Sequence, residues 1–556
     1  MAQTDRQTGI YRLLYRGHRE DPLPAWMVFP IMYAGVFLSH WTLLRLPYFW
    51  DEAGYYIPAA YDFFRTGTLI PYSTLTNAHP PLSAIYLALW WKISGFSPAV
   101  TRLAVCLVAA LALTGVFALC RRLLNAEVAA ATTLLTALYP VWFAQSTLAH
   151  ADIFAAAGTL WGLFYCLEER PSPRQGWLAA LCFSLAALAK ETAIATPLVL
   201  LLWHLWEMRR KPTQGREHLR VALQLGLPVL PLAAWYAYHF HKTGYLFGNP
   251  EFVHYNAIAT LHPLRFVLAF AVRLMDVTVY LNLFVPVLCM VAAMFLSALR
   301  QQNGNPRPRI SWNIQAQIGL VLLGNLLLFS VLGGALLTRY LLPLYPLILL
   351  LCVSTWRRRV QQWGWLVALS VVAFLAGIFV NPPYRFAPED NLSYRNMILL
   401  QHQAIAQLLH RDLHATVLTA WPVSDELTKP ELGYVRQPVS VVAIENFSLP
   451  QVLRAAQMRG YNSALIFSTK YESNALPPIL RWGDRSWNQR FFDDHRDVPP
   501  EIVARLLRGT VVWQQKRDGL WAAVILFPTV QNAQFVAPSL RASLPARSVK
   551  IREIHP

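Results

Sequence analysis

From about residue 26 to residue 380 the chain is a succession of apolar runs broken by short polar or basic stretches, and after Asn381-Pro382-Pro383 the pattern stops. Runs of about 18 or more apolar residues are long enough for a helix to cross a hydrocarbon core of roughly 30 Å. They predict about eleven membrane-spanning helices, centred on residues 26–45, 101–119, 127–143, 151–167, 177–189, 192–207, 221–239, 276–298, 314–336, 340–356 and 362–380. The first long polar interval, 47–98, holds two stretches of amphipathic character, 51–64 and 82–93, the second with Trp90, Trp91 and Lys92 together. Both predict helices lying in the membrane interface, where Trp and Lys are comfortable. Segment 265–273 is a third candidate of this kind.

The remaining residues read differently. Short apolar runs at 416–420, 439–444, 464–467, 511–513 and 521–527 alternate with helical patterns at 394–410 and 450–460. That alternation predicts a small soluble α/β layer domain. The expected organisation is a basic tail over 1–24, a helical membrane domain over 25–380 with its long loop at 47–98, and an α/β domain over 381–556.

Composition makes a bilayer the solvent for much of this: 55% of 556 residues are hydrophobic and only 14% charged. The formal charge of +18 invites a nucleic-acid reading. The basic residues, however, fall in short clusters between apolar runs, which speaks of topology and against a nucleic-acid partner. Arg6, Arg12, Arg16 and Arg19, Arg121 and Arg122, Arg170 and Arg174, the 209–220 cluster, Arg300, Arg307 and Arg309, and Arg357 to Arg359 all fall on one side of the predicted spans. The positive-inside rule makes that side cytoplasmic, and an odd span count puts the C-terminal domain outside. The expectation is a multi-pass protein of a bacterial inner membrane whose first apolar segment, with no cleavage site before it, stays as an anchor. All six cysteines lie in apolar runs, so no disulfide framework is expected.

With this orientation the residues able to do chemistry gather outside. Asp51 and Glu52 follow the first span among aromatics, a position that raises a carboxylate's basicity unless a cation offsets it. Asp152 opens the fourth span and is either a second functional acid or a helix cap. Arg339, Lys190 and Arg102 are the basic residues nearest the outer ends of spans, and Tyr340 follows Arg339. An arginine fork with a tyrosine hydroxyl suits phosphate oxygens, whereas Lys190 and Arg102 equally suit interface snorkelling. His79, His150, His239, His241 and His254 share this side without metal-ligand spacing; they suit plain hydrogen bonding, with a divalent cation site as the alternative.

The order of these motifs resembles the GT-C superfamily of membrane glycosyltransferases. Asp51-Glu52 is followed by Ala78-His79-Pro80-Pro81-Leu82, Thr101-Arg102-Leu103, Tyr139-Pro140, His150-Ala151-Asp152, Ala189-Lys190-Glu191-Thr192 and Thr338-Arg339-Tyr340 with Pro343, Tyr345 and Pro346. The likeness runs over about residues 25–380 and is to the bacterial branch similar to protein O-mannosyltransferases and lipid A aminoarabinose transferases (family 39/83-like). It implies a polyprenyl-phosphate-sugar donor and a lipid, glycan or protein acceptor. It further implies a single displacement in which Asp51, beside Glu52, serves as the base for an acceptor hydroxyl or else orients it, with Asp152 as a second acid. Arg339, Tyr340, Lys190 and Arg102 would hold the donor phosphate, and His79, Tyr55 and Glu191 would contact substrate. Aminoarabinose transferases carry Lys where His79 stands here, which points away from that donor and from a lipid A acceptor. No cofactor is required, a divalent cation excepted. A secondary transporter and a non-catalytic scaffold are the alternatives from other classes. Spans nearly free of internal charge argue against transport.

Overall fold

Proline and small polar caps set the helix boundaries. In the computed structural model, which describes residues 25–168, 171–471, 490–492 and 495–528, Pro98–Leu123 starts with Ser97 accepting from the Val100 N–H and Pro98 in the first turn. Asn125 caps Ala126–Leu138 in the same way. Pro140 then ends that helix, because the residue before a proline is driven out of the helical region. Tyr139 is accordingly extended (ψ 125°), and a separate short helix, Pro140–Gln145, follows. Ser172 and Gln175 form a reciprocal capping box on Pro173–Ala189. The basic tail 1–24 and Arg170 lie outside the described residues.

Each predicted span contains a helix, but the helices are more broken than the apolar runs suggest. The expected spans at 127–143 and 221–239 are each two helices, the latter Gly215–Gly226 and Val229–Thr243 around Leu227-Pro228. The span expected at 276–298 begins later, as Phe284–Met294, after a bend of 99° from the helical stretch Pro263–Asn282. Leu281 (φ 45°) and Asn282 (φ 69°) make that corner. The carbonyl of Tyr280 and the N–H of Leu281 are satisfied there by the Tyr139 and Tyr384 hydroxyls. By length and composition, Pro98–Leu123, Pro212–Thr243 and Trp312–Val331 are able to cross a membrane singly, and the bent pair makes a fourth; others such as Ala151–Cys166 and Gly364–Phe379 are shorter apolar helices.

The two ends of the bundle differ in chemistry. At one end Arg357 pairs with Glu127, Arg307 donates to the Arg357 carbonyl at 2.7 Å and Arg122 pairs with Glu168. The basic clusters of three separate connections thus share one face. Asp51, Asp152, Lys190 and Arg339 meet elsewhere.

Pro263–Asp276 fulfils the expectation of an interfacial helix in an inverted sense. Its Arg265 and Arg273 are buried, while Leu264, Val267, Leu274 and Met275 are exposed. Apolar outward and charged inward suits a helix whose outer surroundings are apolar. The arginines hold the following loop: Arg265 donates to the Gly333 carbonyl at 2.7 Å, and Arg273 to the Leu337 carbonyl at 3.0 Å.

The C-terminal runs form one five-stranded sheet. Strands β1 (Thr416–Ala420), β2 (Ser440–Ile444), β3 (Ser463–Phe467), β4 (Thr510–Arg517) and β5 (Leu520–Leu526) take the order β2-β1-β3-β5-β4. β1 is parallel to β2 and β3, and β5 is antiparallel to β3 and β4. Ser393–Arg411 packs across β5 and β4, making the expected α/β layers. This sheet domain sits on the first long loop. Tyr434 donates to the Tyr48 carbonyl at 2.9 Å, and the Trp421 ring meets Trp50 edge-on at 5.1 Å. Trp421 lies where a side chain on residue 54 would have to go, which is why Gly54 has none.

Two glycines one helical turn apart bring Ala151–Cys166 against Pro173–Ala189, as small residues do between membrane helices. A Cβ on Gly158 would stand 2.8 Å from the Cys182 carbonyl oxygen, and one on Gly162 would stand 2.6 Å from the Phe183 ring. Gly158→Leu is therefore expected to destabilise the protein by about 1–3 kcal/mol through overpacking. Thermal unfolding of the detergent-solubilised chain reads this as a lowered midpoint; an unchanged midpoint would contradict so close a contact.

Candidate active site

The site starts at a local irregularity. Trp50 sits at φ 46°, and Glu52–Tyr56 is a single π-helical turn leading into Ile57–Thr66. Such wide turns and left-handed non-glycine residues recur at functional sites because they re-aim side chains. Here adjacent carboxylates are sent opposite ways. Asp51 points to Arg339 and keeps 30% of its side chain exposed, whereas Glu52 turns into the protein.

Arg339 lies on the short helical turn Thr338–Leu341 and is 2% exposed. Its guanidinium pairs with Asp51 through Nη2 and with Glu389 through Nη1, and its Nε stands 3.3 Å from Asp152. Asp152 also pairs with Lys190, whose ammonium lies 3.8 Å above the Tyr340 ring. Asp152 therefore bridges two cations as a counter-charge, from the first turn of Ala151–Cys166, whose N-cap is His150. Asp152, Lys190, Arg339 and Tyr340 line a cleft enclosing about 320 Å³, together with Thr196 and Phe329.

A second cleft, enclosing about 400 Å³, is lined by Tyr55, Tyr56, His79, Pro80 and Pro81. His79 bonds Glu191 at 2.9 Å, and its ring lies parallel to Tyr56 with centroids 6.0 Å apart. Tyr55 meets His79 edge-on. The residues expected to contact substrate, His79, Tyr55 and Glu191, are thus together, Tyr55 being on the turn that Asp51 precedes.

Two expectations change. Glu52, proposed as a catalytic neighbour, and Arg102, proposed as a phosphate ligand, are fully buried and hold each other. Both Glu52 oxygens are taken, by Arg102 at 3.3 Å and by the Phe49 and Ala149 N–H groups. Arg102 also donates to the Leu46, Pro47 and Thr147 carbonyls. The pair is a brace beneath the π-turn with nothing left for a substrate. The histidines, in turn, do not form a cluster. His150 bonds Gln145, His239 bonds Thr76 and the Tyr245 carbonyl, and His241 and His254 are exposed. Among the described residues no three His, Cys, Asp or Glu side chains are arranged to hold a metal ion.

Two acids at this site come from beyond the last predicted span. Glu389 grips Arg339, while Asp390 accepts from Thr338 and, at 2.6 Å, from the Tyr280 hydroxyl. Burial pushes Asp390 up to about 6 against the pull of those hydroxyls. Burial likewise raises Glu389 well above the usual carboxylate range despite Arg339. The only hint in sequence is the acidic Pro388-Glu389-Asp390, so near the outer end of the last span. Tyr56 is a further participant not singled out, facing Asp51, Asp152 and Arg339 electrostatically and lining the second cleft.

Comparison with known proteins follows this geometry. Residues 78–235 match the family model for dolichyl-phosphate-mannose-protein mannosyltransferases. That segment holds His79, Arg102, Asp152, Lys190 and Glu191 but neither Asp51 nor Arg339. The structure is similar to ArnT from Cupriavidus metallidurans bound to undecaprenyl phosphate, with a TM-score of 0.50 and 14% identity over 90% of this chain and 98% of that one. It also matches the Archaeoglobus fulgidus oligosaccharyltransferase, with a TM-score of 0.43 and 11% identity over 80% and 67%, a likeness too low to argue from. No curated protein matches the chain in sequence. The likeness to ArnT spans most of both chains and is one of fold.

Removing one partner of the buried brace leaves an uncompensated charge, at a cost of about 3–5 kcal/mol. Arg102→Met is expected to reduce the yield of monodisperse protein sharply, and Glu52→Gln less so. Normal yield and unfolding of the Arg102 variant would mean that the pair does not support the turn.

Proposed function

We propose that the chain is a glycosyltransferase that moves a sugar from a polyprenyl-phosphate donor to an acceptor at the periplasmic face of a bacterial inner membrane. The observation that carries this reading is the convergence of Asp51, the one partly exposed acid of the cluster, with buried Arg339 and Lys190 beside a cleft. The ArnT relative, which binds undecaprenyl phosphate, supports the donor class.

In the proposed reaction Arg339, Lys190 and the Tyr340 hydroxyl receive the donor phosphate. Asp152 keeps both cations at the right separation. Asp51 takes the proton of an acceptor hydroxyl arriving from the aqueous side, and that oxygen displaces the phosphate at the anomeric carbon in one step. The carbon–phosphate-oxygen bond breaks as the new glycosidic bond forms, so no covalent enzyme intermediate is needed. His79, Tyr55 and Glu191 lie where they can hold the sugar or the acceptor. The sorting of basic connections to the opposite end supports a cytoplasmic assignment for that end and an external one for the site.

Asp51→Asn is expected to abolish transfer from a polyprenyl-linked sugar while the protein remains folded in the membrane; mass spectrometry of the acceptor pool, with and without the gene, reads the transfer. An Asp51→Asn protein with unimpaired transfer would remove Asp51 from the chemistry. Arg339→Ala is expected to weaken donor binding by at least about tenfold, the usual loss for a charge-assisted phosphate contact. Unchanged affinity for undecaprenyl phosphate would count against that contact.

A further inference from the structure

The charge balance around Arg339 does not suit an incoming phosphate as it stands. Asp51, Asp152, Glu389 and Asp390 surround the site, against the cations Arg339 and Lys190. A phosphate adds negative charge to a buried site already rich in carboxylates, where like charges repel strongly. It also has to approach a guanidinium whose Nη1, Nη2 and Nε each already face a carboxylate. One carboxylate has to give way.

Each acid has a different hold on its place. Asp390 is fixed by two hydroxyl donors, Thr338 and Tyr280. Asp152 retains Lys190 if Arg339 turns away. Asp51 is partly exposed, so water can stabilise it as an anion. Glu389 has neither resource. Its side chain is 4% exposed, Arg339 is its ion-pair partner through Oε2, and its Oε1 is buried without a hydrogen-bond partner among the described residues. An anionic Glu389 stripped of Arg339 would be a buried, unpaired charge, which proteins avoid by binding a proton.

We propose that Glu389 is the anion that the donor phosphate displaces from Arg339, and that it takes up one proton from solvent as it is displaced. Glu389 then acts as a positioning residue, holding the arginine fork in an empty site and yielding it on demand. This rests on the donor reading above. Among the described residues the charged groups that act most strongly on Glu389 are Arg339, Asp51, Asp390 and Asp152, with His150 linked to it through Gln145, which bonds the Glu389 carbonyl.

The sign follows from linkage. Where Glu389 is ionised in the empty protein, binding requires a proton, so affinity falls as pH rises; at lower pH the proton is already present and this contribution is flat. The lipid phosphate's own second ionisation, near about pH 6, affects wild type and variant alike and cancels in their comparison. The test is binding of undecaprenyl phosphate to the full-length protein in nanodiscs, with and without magnesium, for wild type and Glu389→Gln. Over the window in which Glu389 ionises, the ratio of wild-type to variant Kd is expected to rise about tenfold per pH unit. Calorimetry of the wild type above that window, where Glu389 starts ionised and the lipid phosphate is already a dianion, should register uptake of about one proton when buffers of different ionisation enthalpy are compared.

A constant Kd ratio would overturn the proposal, and so would a slope retained by Glu389→Gln, which would move the proton to Asp390 or His150. Magnesium-dependent binding without proton uptake would overturn it in favour of a cation as the compensating charge. If the variant does not fold, the wild-type proton count alone decides. Absence of binding at every pH would strike the donor reading itself.

Discussion

The Arg339 guanidinium is the contact around which the rest of the structure is arranged. Its three carboxylate partners come from three distant parts of the chain: Asp51 on the first loop, Asp152 at the start of Ala151–Cys166, and Glu389 in the connection to the sheet domain. A buried cation of this kind is costly unless opposite charges surround it, so each of these elements must be brought to it. The supports are correspondingly specific. The Glu52–Arg102 brace fixes the π-turn under Asp51, Arg265 and Arg273 fix the loop that leads to Arg339, and Asp390 ties Thr338 to Tyr280.

That arrangement gives the C-terminal region a part in the site that its composition does not announce. The connection into the sheet domain supplies Glu389 and Asp390, and the domain itself rests on the first loop through Tyr434, Leu432 and Trp421. Trp421 packs against Trp50 and over Gly54, beside the one acid of the cluster with substantial exposure. The surroundings of the turn that follows Asp51 therefore include a residue 370 positions away in sequence.

Much of this was legible in the chain, for definite reasons. Apolar run length is a one-dimensional property, so each expected span contains a helix and each of the five described strands overlaps an expected run, although the span expected at 276–298 starts only at Phe284. Asp51, Asp152, Lys190, Arg339 and Tyr340 stand out in the chain as charged and polar residues at the ends of apolar runs, and the structure brings them together; Tyr55 and Glu191 were suggested by the motif order. Helix breaks were less visible: Pro140 and Pro228 announce theirs, but the 99° corner after Pro263–Asn282 depends on hydroxyls from Tyr139 and Tyr384 that are remote in sequence.

The division between neighbours Asp51 and Glu52 shows where sequence ends. By itself the sequence determined that two acids stand at the head of the first loop, that basic residues fall in short clusters between apolar runs, and that an Arg-Tyr pair precedes a late apolar run. Those are matters of hydropathy and local composition. Only the tertiary structure decided that Glu52 is spent on Arg102, that Asp51 and Glu389 share Arg339, and that five histidines on one side never meet. A π-turn rotates adjacent side chains to opposite environments, and the partners that fill those environments are selected by packing among helices far apart in the chain.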